Sequence, residues 1–229
     1  MSSEMKKAGS FTYRTVKRLF DLILSMLLMV PVGIVIIISA FFIKCEDGGP
    51  VFYVANRTGR FGKVFKMYKL RSMKVDAPDI RLSDGSTYNG DDDPRVTKFG
   101  RLARKTSIDE LPQVINIIKG DMSFVGPRPD TPIGSAAYDE DEKIILTVRP
   151  GITGYNQALN RNAVLTKEKL KNDIYYVKNL SLLLDIKIIF LTLYSVLFHK
   201  NVNRSEVNIE DVYVLEKDGS RSETNIDKK

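Results

Sequence analysis

The chain has one cysteine, Cys45, and one histidine, His199. A single thiol excludes an internal disulfide framework, and with so few sulfur and imidazole ligands a Cys/His zinc site is excluded too. Cys45 reads as a small residue at the edge of an apolar run, and His199 as the end of a helix. There is no internal repeat, so solenoid architectures drop out. The most informative absence is charge: residues 22–43 are 22 consecutive uncharged residues. As a helix they would reach about 33 Å, enough for a hydrocarbon core of about 30 Å. Few soluble helices carry such a run. A cleaved signal peptide fits poorly, because no small-residue cleavage site precedes Lys44.

Outside that run the chain is ordinary in hydrophobic content (43%) and well charged (28%), so neither a disordered chain nor a many-span membrane protein is expected. At 229 residues it can bury one good core with an appendage. The formal charge of +7 predicts an anionic partner: nucleic acid, anionic lipid or a phosphorylated substrate. The charge flanks both ends of the apolar run. Lys6, Lys7, Arg14, Lys17 and Arg18 precede it. Lys44 and a series from Arg57 to Lys74 follow it. Basic flanks mark the cytoplasmic side, and here both flanks are basic. Pro31, mid-run, costs roughly 3 kcal/mol in an unkinked helix. A helix that enters, breaks near Pro31 and returns to the same face accounts for both features, and a spanning helix with a proline kink is the alternative.

Residues 50–73 alternate apolar and basic positions around a stretch with two glycines, which predicts a β-hairpin. Its cations, among them Lys69, suit single-stranded nucleic acid or, beside an apolar run, lipid headgroups and diphosphates. They also suit a solvated edge strand. Residues 75–94 read as a polar loop, with Asp91, Asp92 and Asp93 in a solvated turn rather than a calcium loop.

The chemistry concentrates in residues 106–130, TSIDELPQVINIIKGDMSFVGPRPD. Leu111, Val114, Ile115 and Ile118 predict one buried helical face. Ser107 and Glu110 fit a capping box, which would make the acid pair Asp109–Glu110 purely structural. Pro112 sits better in the first turn of a helix starting near Asp109. The functional alternative uses adjacent carboxylates as a nucleophile on phosphorus, a Mg²⁺ ligand and a proton handler. Arg104 and Arg128 would neutralise phosphoryl oxygens, the latter aimed by a Gly126-Pro127-Arg128-Pro129 corner.

Those residues carry a resemblance. The ordered set KRLFD, the proline-containing apolar run, YKLRSM, SIDELPQ, KGDMSFVGPRP, RPGITG, NRNAV and DIYYVKNLSLLLDIK is similar to the monotopic phosphoglycosyl transferases, the bacterial sugar transferase family. The similarity spans residues 17–197. It implies that Asp109 attacks the β-phosphorus of a UDP-sugar and expels UMP. Polyprenyl phosphate then collects the phosphosugar, with Mg²⁺ bridging the acid pair and the diphosphate, Asp109 as its ligand, and Glu110 assisting proton handling. Lys69, Arg104, Arg128 and Asp173 match functional positions of the family. Arg161, in a second polar loop, reads equally as a substrate contact or a structural residue, and Arg149 as structural. Two departures stand out: Val30 precedes the central proline where many relatives have Ser, and Asn160 replaces a glycine before Arg161.

The fold expected is α+β. Residues 1–10 form a flexible start, 11–48 a re-entrant membrane helix, 49–200 a small cytoplasmic catalytic domain with a β-hairpin and amphipathic interfacial helices, and 201–229 a polar tail. Residues 165–178 read as a charged helix. Residues 180–198 read as an apolar helix whose one polar stripe (Ser181, Asp185, Thr192, Ser195, His199) suits an interfacial or core position. The compact chain resembles small family members that take UDP-linked N-acetylated amino or deoxy sugars, including di-N-acetylbacillosamine; a UDP-hexose is the alternative. The resemblance places the protein at the bacterial inner membrane, with anionic lipid as a partner and no nucleic acid. Two other readings explain less. A basic membrane adaptor leaves the acid pair and the proline corner without a purpose, and a nucleic-acid binder leaves residues 22–43 without one. An aspartyl-phosphate hydrolase would release phosphate to water.

Overall fold

The computed structural model describes residues 8–82, 88, 90, 93–160, 166–198, 212–215 and 221–223. Arg161, Asp91, Asp92 and His199 lie outside them. The chain opens with helix α1, Phe11–Asp47. The Ser10 hydroxyl caps its start by accepting from the Tyr13 N–H at 3.1 Å, and Gly48 stops it in the left-handed region at φ 68. The helix continues through Pro31, where the sequence predicted a break. A proline deletes one backbone bond, and a 37-residue helix retains the rest.

The stripe that α1 buries is unusual in composition: Asp21, Ser25, Val32, Ser39 and Ile43, spaced four and seven residues apart. Its exposed face is apolar, including Leu27, Val30, Ile37 and Phe41. Both ends are fastened to the same globular body. Near the start, Arg18 donates to the carbonyls of Ile117 (2.6 Å) and Ile118 (3.0 Å), and Asp21 accepts from the Ser123 hydroxyl (3.0 Å) and the Phe124 N–H (3.1 Å). At the far end, Asp47 forms a two-pronged ion pair with Arg71, Glu46 accepts from the Phe99 N–H at 3.0 Å, and Phe42 stacks on Phe99.

The hairpin is longer than its apolar runs suggested. Strand β1, Phe52–Thr58, pairs antiparallel with β2, Val64–Leu70, and the register sets Tyr53 opposite Lys69. The supposed loop that follows contains a strand, β3, Asp79–Leu82. Asp93 is fully buried rather than solvated, held by both prongs of Arg95 (2.9 and 2.7 Å), whose guanidinium also donates to the carbonyls of Pro78 and Tyr88. Local composition showed three acids in a polar stretch and could not show that one had an arginine two residues on folded back over it.

Helix α2, Lys98–Thr106, is capped by Thr97. A 3-10 turn, Ile108–Gln113, leads into helix α3, Val114–Lys119. The predicted face is corrected here. Val114 is buried, but Ile115 and Ile118 are exposed, and the inward positions are Gln113, Asn116 and Ile117. The tighter turn before α3 rotates the helix relative to a uniform 3.6-residue period. Strand β4, Ser123–Val125, pairs in parallel with β5, Gly151–Thr153, and a short helix α4, Pro132–Ala136, lies between them in sequence. A Cβ on Gly151 would lie 2.2 Å from the Gly126 nitrogen, so the crossing needs glycine there.

Three helices close the domain: α5, Tyr155–Asn160, α6, Thr166–Lys178, and α7, Leu182–Leu197. Like α1, α7 is turned inside out. Asp185 and Ser195 are buried, while Leu183, Ile186, Phe190, Leu193 and Leu197 form an exposed stripe. The inward charge is well supplied: Asp185 accepts from Tyr176 (2.7 Å), Tyr13 (2.9 Å) and Lys17 (2.8 Å). Two stretches of the polar tail are ordered strands, β6, Val212–Leu215, and β7, Arg221–Glu223. β6 pairs with both β3 and β7. The apolar cores are small, one around Val125, Tyr176, Val177 and Ile188 and another around Ala55, Met67, Ile117 and Met122.

Removing the Asp185 carboxylate strands one ammonium and two hydroxyls. Asp185→Ala is expected to cost about 2–4 kcal/mol, and limited proteolysis in detergent should then cut near the start of α1 first.

Candidate active site

The site is assembled where α2 gives way to the 3-10 turn. Ser107 ends α2 with φ 60, a left-handed conformation, so it is a C-terminal cap rather than the N-cap of a capping box. The turn presents Asp109 and Glu110 in its first positions. Glu110 does not reach back to cap a backbone N–H. Its Oε1 accepts from Lys69 Nζ at 3.0 Å and from Arg128 Nη2 at 2.8 Å, and its Oε2 is 3.4 Å from Arg128 Nη1. The structural reading of the acid pair therefore fails for Glu110.

Each cation arrives on a separately anchored element. Lys69 is near the end of β2. Asn116, fully buried, fastens that strand to α3 by accepting from the Tyr68 N–H (3.1 Å) and donating to the Lys66 carbonyl (2.7 Å). Arg104 sits on α2, its Nε held by the Ser72 hydroxyl at 3.0 Å. Arg128 follows β4 in the proline corner. The Gly126 N–H donates to Thr153, and the Pro127 carbonyl accepts from Gly151.

Asp109 is buried, and its carboxylate accepts no hydrogen bond among the described residues. Burial pushes its pKa up to about 6. Lys69 opposes the shift, the Glu110 charge adds to it, and Arg104 and Arg128 oppose it. For Glu110 burial also works upward, but Arg128 and Lys69 overcome it and hold the group well below the usual carboxylate range. Two adjacent acids are thus driven apart, one a fixed anion locked between cations and the other a bare carboxylate within their field.

Of the predicted site residues, the structure brings together Lys69, Arg104, Asp109, Glu110 and Arg128. Asp173, on α6, is buried behind the proline corner. One of its oxygens has no hydrogen-bond partner among the described residues, and burial raises its pKa to about 7, with Lys169 opposing, Asp130 adding and Arg128 opposing. Arg57 was not singled out as a site residue. It lies half-buried on β1 close enough to Arg128 for the two charges to interact, and extends the cationic wall. Only pairing with β2 reveals it. As a metal site the geometry fits Asp109 alone, because both Glu110 oxygens face cations. One carboxylate plus substrate oxygens and water is a donor set that Mg²⁺ accepts. No cluster of three metal-ligating acids occurs among the described residues.

A bare carboxylate ringed by cations is an arrangement suited to anionic phosphoryl groups, and it lies beside helices with outward apolar faces. The particular family follows from comparison. The bacterial sugar transferase family matches residues 12–199, and the chain belongs to it. It is 42% identical over 199 residues to the galactosyl transferase CpsE of Streptococcus agalactiae, covering 83% of this chain and 44% of that protein. It is 41% identical to EpsL of Bacillus subtilis, named an uncharacterized sugar transferase, covering 82% and 91% respectively. It is 36% identical to the UDP-N-acetylgalactosamine-undecaprenyl-phosphate N-acetylgalactosaminephosphotransferase of Aeromonas hydrophila, covering 81% and 44%. The chain therefore spans less than half of two of these relatives and nearly all of the third.

The raised Asp109 pKa has a stability consequence. The native state holds this proton up to about pH 6, the unfolded state only to its ordinary value of 3.8, so the group destabilises the fold above pH 6 and is neutral below 3.8. Asp109→Asn should raise stability by about 1–3 kcal/mol at pH 7.5, a gain that denaturant titration should show shrinking between pH 6 and 4.

Proposed function

We propose that this bacterial sugar transferase moves a sugar phosphate from a UDP-sugar to polyprenyl phosphate with release of UMP. The observation that carries the reading is the division of labour in the acid pair: Glu110 is occupied by Lys69 and Arg128, and Asp109 is left bare. An Asp109 oxygen bonds to the β-phosphorus while the bond from that phosphorus to the bridging oxygen breaks, and UMP leaves with that oxygen and the electron pair. An oxygen of polyprenyl phosphate then attacks the same phosphorus and displaces Asp109 as carboxylate, giving polyprenyl-diphosphate-sugar. Glu110 keeps Lys69 and Arg128 aimed at the phosphoryl oxygens, and Arg104 reaches the site from α2. Asp173 backs the proline corner, and Arg161 belongs to the substrate contacts expected from the sequence. Asp109 is the residue that would hold Mg²⁺, whose positive charge would stabilise the leaving group.

The donor sugar proposed is an N-acetylated amino sugar, a reading supported by the Aeromonas relative, which is named for N-acetylgalactosamine. UDP-galactose is the second reading, favoured by the name of the Streptococcus relative.

We place α1 in the membrane as a re-entrant helix, bent rather than interrupted in the region of Pro31, with the domain on the cytoplasmic side. Support comes from its two anchors: Arg18 and Asp21 at one end and Asp47 at the other hold the same globular body. A helix crossing the bilayer would put those anchors on opposite sides. The outward apolar faces of α7 and of Ile115 and Ile118 on α3 then meet lipid, at the depth of a lipid acceptor's phosphate.

Asp109→Asn should lower UMP release at least about a thousandfold. Wild-type protein quenched with donor alone should carry a sugar-phosphate mass on the Asp109 peptide; its absence sinks the two-step mechanism. For the wild type, kcat/KM should fall below pH about 6 as Asp109 protonates, and a panel of UDP-sugars ranks the donors. Placement is checked separately. Cys45, exposed beyond the apolar run, and a Thr12→Cys probe in a Cys45→Ser background should both react with an impermeant maleimide only in inverted vesicles. Labelling from opposite faces overturns re-entry.

A further inference from the structure

A second concentration of positive charge lies away from the acid pair. A cavity between the start of α1, the tip of the β1–β2 hairpin and the loop before β5 is lined by Arg14, Lys17, Arg60 and Arg149. None of Lys69, Arg104, Asp109, Glu110 or Arg128 borders it. One carboxylate, Asp21, lines the cavity against those four cations. Asp21 accepts from Ser123 and Phe124, and Lys17 is paired with Asp185 at 2.8 Å. Arg60 and Arg149 form no ion pair among the described residues. Arg149 donates through Nε to the Gly120 carbonyl at 2.8 Å, which uses one edge of its guanidinium.

These cations crowd one another. Burial lowers the pKa of Arg149, and the charges of Arg60 and Arg18 lower it further, with Asp21 opposing; burial and Arg14 lower that of Arg60. Holding arginines together in a partly buried cavity is unfavourable unless an anion joins them. The hairpin tip is built to keep Arg60 there. Phe61 adopts a left-handed conformation (φ 61) that bulky residues avoid, and the Arg60 guanidinium lies 5.1 Å over its ring. The remaining walls include Val125, Val148 and Leu180. They give the cavity an apolar side, and it opens a few residues before the uncharged run of α1 begins.

We propose that this cavity binds a lipid phosphate, the headgroup of an anionic phospholipid, with Arg60 and Arg149 as its principal ligands and Arg14 beside them. Planar guanidinium groups match phosphate oxygens in pairs. The apolar wall favours a phosphate that carries a glycerol and acyl stem over free phosphate. Occupancy would pin the start of α1 and the hairpin at headgroup depth, and so set the height of Lys69 on the same hairpin.

The test uses the full chain in a non-ionic detergent and needs no sugar donor, so its failure leaves the reading of Asp109 untouched. Binding of dihexanoyl phosphatidylglycerol, dihexanoyl phosphatidylcholine and inorganic phosphate is measured by thermal shift and by fluorescence titration. The wild type should bind the glycerol lipid at least tenfold more tightly than either other probe. Arg60→Gln with Arg149→Gln should weaken that binding at least tenfold. Arg60→Gln alone, at a turn side chain without hydrogen bonds among the described residues, should weaken it at least threefold while the melting temperature without lipid is unchanged. Equal lipid affinity in wild type and both variants overturns the site. Inorganic phosphate binding as tightly as the lipid overturns the lipid assignment.

Discussion

One glutamate shared by two cations sets the character of this protein. Glu110 takes Lys69 from the hairpin and Arg128 from the proline corner. Two elements far apart in sequence are thereby joined at the turn that carries Asp109. An isolated surface ion pair contributes little, but here all three groups are mostly shielded and the acid is satisfied from both sides. The result is electrostatic rather than merely structural. The pair carries two positive charges against one fixed negative charge, and the surplus falls on the neighbouring carboxylate and whatever phosphate approaches it.

The second constraint is the inversion of the helices. In a water-soluble domain α1 and α7 would hide their apolar faces. Here they hide Asp21, Ser25, Ser39, Asp185 and Ser195 and show leucine, isoleucine and phenylalanine outward. A buried carboxylate must find partners, and each does: Asp21 in Ser123 and Phe124, Asp185 in two tyrosines and Lys17. Those polar contacts fasten the inward faces of both helices to the domain. They also explain how cores as small as those around Val125 and Ile117 can anchor a 37-residue helix.

The two clusters of cations fit one picture. The hairpin carries Lys69 at one end, facing the acid pair, and Arg60 at its tip, facing the second cavity. α1 is gripped at its start beside that cavity and at its end by Arg71, two residues beyond Lys69. The long apolar helix and the site are therefore held by one set of elements. In the function proposed here, where the acceptor is a lipid phosphate, depth relative to the headgroups is a positioning variable like any distance within the site.

The residues alone marked the long apolar helix and the chemical candidates, and a net charge of +7 gave the expectation of an anionic partner. A charge-free run, basic flanks and an acid pair beside a Pro-Arg-Pro corner are local facts, and Lys69, Arg104, Asp109, Glu110 and Arg128 were named from them and from the family resemblance. What local pattern got wrong was orientation. Ile115 and Ile118 satisfied a buried helical face yet point outward, because a 3-10 turn precedes α3. Ser107 and Glu110 satisfied a capping box, yet the glutamate had better partners in two cations brought from residues 69 and 128. Asp93 read as solvated until Arg95 closed over it. Arg57 beside Arg128, and Arg60 beside Arg149, are juxtapositions across strands and loops that no linear spacing encodes. Sequence specifies which charges exist; only the tertiary structure decides which of them meet, because their energies depend on burial and on separations of a few ångströms.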